Sequence, residues 1–184
     1  MSPDAFRAEI GPITRLMRIE PARGPSVPVL VDVPHAGRIY PPEFVATSRL
    51  SPLGLRRSED AYVDLLFATA PLHGAPLLAA HFPRAFLDVN REPYELDPKM
   101  FEGRLPGFTN SRSMRVAGGL GTVPRVIGDQ VEIYAGKIAL DEALSRIERF
   151  YLPYHGRLHR NLGDLRARFG RACLIDCHSM PSNS

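Results

Sequence analysis

Residues 27–37 read VPVLVDVPHAG, and this stretch decides the fold class. Its apolar part, Val27 to Val33, is rich in β-branched side chains. It is bounded by Gly24-Pro25 on one side and Pro34 on the other, so it reads as a short buried strand. A loop with one glycine and two prolines follows, from His35 to Pro42. Beyond it, Val63, Leu66, Phe67 and Ala70 recur at helical spacing. That predicts a helix ending near Leu72, capped by Ser58 or Asp60 and stopped by His73-Gly74. Two short strands are expected next, over Pro76–His81 and Arg84–Asn90.

Residues 92–128 are different. They hold many glycines and prolines with little periodicity, which predicts a long loop near a functional site. A helix is expected from Asp129 to Tyr151, striped by Ile133, Leu140, Leu144, Ile147 and Tyr151. Pro153 should break or kink it. A second helix runs to Phe169, Gly170 stops it, and Ala172–Cys177 (ACLIDC) reads as another buried strand. Strands alternate with helices and no internal repeat is visible. The expectation is one α/β domain over 1–184, with a mixed, mostly parallel sheet flanked by helices. In such sheets, sites form at the carboxyl ends of strands. His35, Asn90-Arg91 and His178-Ser179 all fall there.

The bulk composition narrows the field. A hydrophobic share of 44% against 23% charged residues is that of a globular chain with a real core, not a disordered one. No apolar run is long enough to span a bilayer, and the start of the chain lacks a charged segment followed by an apolar one. The expected location is the cytoplasm. The net charge of +3 comes from scattered arginines, with no basic block and no interleaved aromatics, which argues against a nucleic-acid binder. Arginine suits carboxylate recognition better than lysine does. Cys173 and Cys177 are expected as free thiols in an interior strand. At i, i+4 on a strand they lie about 13 Å apart, beyond disulfide reach.

The chemistry-bearing residues cluster in a few motifs. His35 and His178 each follow a strand, so both can converge on one metal. Zinc takes imidazole nitrogen and carboxylate oxygen, which makes Asp60 or Glu59, in RRSEDAYVD, the third-ligand candidates. Asp176 can orient His178. In HFPRAFLDVNR (81–91), strand alternation would place Arg84, Asp88 and Asn90 on one face. They form either an Arg84–Asp88 ion pair or, with Arg91, a carboxylate site. His155 and His159 share a helix face without H-E-x-x-H and are read as structural. Ser179 lacks a G-x-S-x-G context, and Gly118–Gly121 precedes no helix start, so no phosphate loop is expected.

The ordered motifs VDVPHAG, SEDAYVDLLF, FPRAFLDVNREP, GLGTVPR, PYHGRL and LIDCHSMPS resemble the N-formylglutamate amidohydrolase family. The resemblance runs from about Val29 to Pro181 and implies a fold like that of the zinc carboxypeptidases. It implies His35, Asp60 (with Glu59 as fallback) and His178 as ligands of Zn2+, and Arg84 as the residue that stabilises an oxyanion. Asn90 and Arg91 would grip a substrate carboxylate, with Arg125 a further substrate contact. The implied reaction is hydrolysis of N-formylglutamate, a step of histidine degradation, to formate and glutamate. Family members continue beyond the D-x-H-S motif and carry there a glutamate expected to act as general acid/base. The chain is therefore expected to lack its C-terminal part and to expose a sheet edge that invites self-association. The alternative is a catalytically impaired domain that binds metal and carboxylate.

Overall fold

The computed structural model describes residues 16–180. Four strands form the main sheet: β1 (Met17–Glu20), β2 (Val29–Val33), β3 (Leu77–Ala80) and β6 (Cys173–Asp176), in the order β1-β3-β2-β6. A two-stranded ribbon pairs β4 (Val126–Ile127) with β5 (Val131–Glu132). β2 runs parallel to both β3 and β6, and β1 is antiparallel to β3. The sheet is thus mixed and mostly parallel, as expected. The helices are α1 (Pro42–Thr47), α2 (Pro52–Arg56), α3 (Val63–Leu66), α4 (Met114–Ala117), α5 (Leu140–Arg146) and α6 (Leu152–Phe169).

Strand alternation divides the core in two. Val31, Val33, Leu77 and Ala79 pack with Val63, Ala75 and Cys177 on one face of the sheet. Leu78 and Ala80 join the larger cluster on the other face, with Phe82, Phe86, Phe150 and Tyr154. All of β3 is buried, which is the environment its all-apolar sequence LLAA requires. Leu77 and Leu78 are each fully buried, worth about 1.5–3 kcal/mol apiece against exposure.

Several expectations are corrected. Arg84–Asn90 is not a strand: Phe86 and Leu87 N–H both bond the Pro83 carbonyl, so the segment turns after Pro83. The 58–72 helix shrinks to α3 and a 3-10 turn at Ala70–His73, because Tyr62 sits in the left-handed region (φ 67°) and interrupts the helix. Neither Ser58 nor Asp60 caps α3 through its side chain. The 129–151 helix begins only at Leu140, and Ile133 reaches the core from irregular backbone.

Pro153 does not stop the helix. A π-helical stretch at Ile147–Tyr151 joins α5 to α6 and absorbs the proline, which cannot donate to the preceding turn. Gly170 ends α6 with φ +71°, as the sequence indicates. The last strand is a further correction. β6 lies at the sheet edge, so Cys173 is exposed and only Cys177 is buried. Leu174 and Ile175 are 40% and 44% exposed for the same reason: no described strand covers that edge.

Candidate metal centre

Parallel pairing of β2 with β6 brings their carboxyl ends side by side, and a histidine follows each. Cys177 N–H bonds the Asp32 carbonyl, extending the register to the start of the second histidine loop. Asp60 reaches the same place from the segment after α2, where its N–H bonds the His35 carbonyl. His35, Asp60 and His178 thereby offer one ligand atom each, all within 4.8 Å of one another.

The nitrogens of His35 have opposite surroundings. Nε2 lies 2.7 Å from Asp88 Oδ1. Nδ1 is buried with no hydrogen-bond partner among the described residues, 3.6 Å from Asp60 Oδ2. An orphaned buried ring nitrogen is costly unless something occupies the position it faces. His178 Nδ1 lies 2.9 Å from the same Asp60 oxygen, so three donor atoms converge there. Behind it, His178 Nε2 is 3.0 Å from Asp176 Oδ1 and 3.2 Å from the Asn90 carboxamide. Each imidazole thus points one nitrogen inward and rests the other on a carboxylate, the usual support for metal-binding histidines. Two imidazoles, one of them with an orphaned nitrogen, and one carboxylate fit a zinc-type ion, which takes that donor set with one position left open.

The electrostatics follow from these contacts. Burial opposes charge on Asp88. The hydrogen bond with His35 and the charges of His35, Arg84 and Arg91 outweigh it and hold the carboxyl far below its ordinary value. Asp60 is likewise lowered, against burial, by His35, His178 and Arg84. Burial lowers the His35 imidazole, but Asp60 and Asp88 prevail and raise it. Asp32, on the α6 side of β2, is pushed up to about 7, first by burial and then by Asp176, although the Tyr154 hydroxyl donates to it.

Arg84 binds Asp88 Oδ2 through Nε (3.2 Å) and Nη2 (3.1 Å), with Nη1 3.9 Å from Asp60 Oδ1. It lines a cavity of ≈ 480 Å³ whose wall also holds Asp60, Asp88, Ser179 and, from the 92–128 segment, Leu120 and Pro124. Arg91 is placed differently. Its guanidinium donates to the carbonyls of Leu120 (3.1 Å) and Asn90 (2.7 Å), and it stands outside the cavity lining. Arg125 is also turned away, to Asp97 (2.7 Å) and Glu132 (2.5 Å). Glu59 faces Tyr40 and Arg56, which leaves Asp60 as the acid in the cluster. His155 donates to the Val89 carbonyl at 2.8 Å, and the Gly119 carbonyl accepts from the backbone N–H of Arg125 and Val126.

Asp88 is the residue that sequence reasoning underused. It was legible as an acid near Arg84, but its bond to His35 spans 53 positions and has no local signal.

A family model described as N-formylglutamate amidohydrolase matches residues 27–184. The N-formylglutamate deformylase of Pseudomonas putida is 26% identical over 159 residues, which cover 85% of this chain and 53% of that protein. Its Pseudomonas aeruginosa counterpart is 28% identical over 159 residues with the same coverage. The crystal structure of N-formylglutamate amidohydrolase from Ralstonia eutropha JMP134 matches with a TM-score of 0.84 at 33% identity, over 92% of this chain and 59% of that one. A gene product of Agrobacterium tumefaciens shares the fold at 19% identity, with a TM-score of 0.63 over 96% of this chain and 62% of that one. The chain spans about half the length (53%) of the curated relatives it matches.

Proposed function

The chain belongs to the N-formylglutamate amidohydrolase family, and from that premise we propose that it takes part in metal-dependent hydrolysis of the amide of an N-acyl acidic amino acid. N-formylglutamate is the substrate of choice, giving formate and glutamate. The observation that carries this reading is the buried Nδ1 of His35, without a hydrogen-bond partner among the described residues, beside Asp60 and His178.

Zinc is the proposed ion, held by His35, Asp60 and His178; bound there, it would acidify a water and polarise the amide carbonyl. Asp88 and Asp176 fix the two imidazoles. Arg84, at the cavity wall beside Asp60, is the proposed electrostatic partner of the negative charge that develops on the amide oxygen. Asn90 and Arg91 are proposed to hold the substrate carboxylate. For Arg91 this requires release from the Leu120 and Asn90 carbonyls, so substrate entry would be coupled to a shift of that loop. Arg125 would then support the loop through Asp97 and Glu132.

Among the described residues no helix is long and apolar enough to cross a membrane. A cytoplasmic location and a place in histidine degradation belong to the same proposal.

One observation favours a second reading, a domain that binds metal and carboxylate but turns over slowly. The acids at the cavity wall among the described residues are Glu59, Asp60 and Asp88, and each is engaged by a cation, a histidine or a hydroxyl. None stands ready as a proton shuttle, a role worth about 10²–10⁴-fold in rate.

Metal content of the purified chain, measured beside His35→Ala and His178→Ala, tests the site. Formate release from N-formylglutamate then tests the reaction. One zinc per chain, lost in both variants, together with formate release supports the first reading. Zinc without formate release supports the second. A zinc-free chain after zinc is offered would remove both.

A further inference from the structure

A second groove lies at the opposite end of the sheet from the metal centre. Pro76, which directly precedes β3, and Ile19, near the end of the antiparallel β1, form its floor. The metal centre stands instead beyond the carboxyl ends of β2 and β6. One wall is a single face of α6, because Arg157, Asn161, Asp164, Leu165 and Arg168 recur at helical spacing. The volume is ≈ 430 Å³, enough for a small organic molecule.

The charges of the groove are unbalanced among the described residues. Neither Arg157 nor Arg168 has a carboxylate partner among the described residues, and Arg168 stacks its guanidinium on the Phe169 ring at 5.1 Å. The nearby Glu20 is already taken by Arg18 (3.1 Å) and Arg23 (3.6 Å). Asp164 is the one acid in the lining. Two further donors, Arg157 Nε and Asn161 Nδ2, are buried with no acceptor among the described residues. Missing acceptors for buried donors carry a free-energy cost. Ser26 adds a hydroxyl, and Ile19, Pro76 and Leu165 add an apolar surface.

We propose that this groove is a binding site for a small oxyanion carrying an apolar body, a carboxylate or phosphate group held between Arg157 and Arg168. The planar guanidinium of arginine matches both head groups in a bidentate manner. A modest change of rotamer lets Arg157 and Asn161 give their unused donors to the same ligand. The site is separate from the metal centre and does not depend on the reaction proposed there.

Isothermal titration of the whole chain with inorganic phosphate and, separately, with butyrate tests it. The comparison set is Arg157→Gln, Arg168→Gln and the metal-site variant His178→Ala. Saturable binding of at least one probe is expected at millimolar concentrations, about −4 kcal/mol on the scale where 1 mM corresponds to −4.1. It should weaken about tenfold in either arginine variant, fall with added salt, and stay unchanged in His178→Ala. The stronger of the two probes identifies the head group. Absence of saturable binding for both probes overturns the proposal, as does binding that survives both arginine changes or that His178→Ala removes. Thermal melts of the variants confirm that the fold is intact.

Discussion

Asp88 Oδ1 sits 2.7 Å from His35 Nε2 and thereby turns the other nitrogen of that ring, Nδ1, toward Asp60 and His178. The acid is 2% exposed and held charged by Arg84 and His35. It orients His35, one of the proposed ligands, and stands outside the His35–Asp60–His178 cluster itself. Asp88→Asn keeps the shape but removes the charge. Zinc affinity, read by competition with a chromogenic chelator, should drop about 10–100-fold, while His35→Ala should abolish binding. Unchanged affinity in Asp88→Asn would mean that the imidazole is positioned by packing alone.

Arg84 and Arg91 differ in what already holds them. Arg84 stands at the cavity wall, 29% exposed, and Arg91 is 12% exposed, bonded to two backbone carbonyls with its Nη2 3.7 Å from Asp88 Oδ2. Where formate release is measurable, Arg84→Gln should lower kcat about 10²–10³-fold, the range for losing one oxyanion donor. Arg91→Gln should raise KM and also lower the thermal midpoint, because two carbonyls lose their donor. A thermal midpoint unmoved by Arg91→Gln would show those backbone contacts to be unimportant.

Asp32 gives the fold a pH dependence of definite sign. Its carboxyl titrates near 7 in the folded chain against 3.8 ordinarily, chiefly because of burial. The folded state therefore holds a proton that the unfolded state has lost, and stability falls as pH rises between those values. Asp32→Asn should flatten the decline in the urea midpoint across that window. Tyr154→Phe should move it to higher pH, since the hydroxyl favours the charged carboxylate. A decline in Asp32→Asn parallel to that of the parent would assign the effect to other groups.

Arg146 is a buried cation among aromatic faces. Its guanidinium stands 4.4 Å from the Phe86 ring centroid and 5.5 Å from that of Phe44. It donates to the Phe86 carbonyl (3.1 Å) and the Tyr134 hydroxyl (2.7 Å) and pairs with Glu142. Arg146→Ala should cost about 3–5 kcal/mol in urea unfolding. Arg146→Met, which refills the volume with an apolar chain, should cost less. Equal losses would show that charge, not packing, dominates.

The β2 strand was legible because a continuous β-branched run between glycine and proline has few other uses. The α6 stop at Gly170 was legible because left-handed backbone there suits glycine. The Arg84–Asn90 segment was misread because its alternating pattern is equally that of a turn after Pro83. The 129–151 helix was overextended because Ile133 has helical spacing to later apolar residues while its burial comes from a loop. Cys173 was misplaced because an apolar strand reads the same at an edge as inside.

The sequence by itself determined the α/β class, the β2 and β6 strands and the family. It also determined which side chains could ligate a metal, since these depend on local periodicity and on short motifs in a fixed order. Only the tertiary structure decided that Asp60 rather than Glu59 joins His35 and His178, that Asp88 stands behind His35, and that Arg91 and Arg125 are already engaged. The reason is physical. Parallel pairing of β2 with β6 sets two histidines 143 positions apart side by side, and contacts made across the sheet leave no trace in the spacing of neighbouring residues.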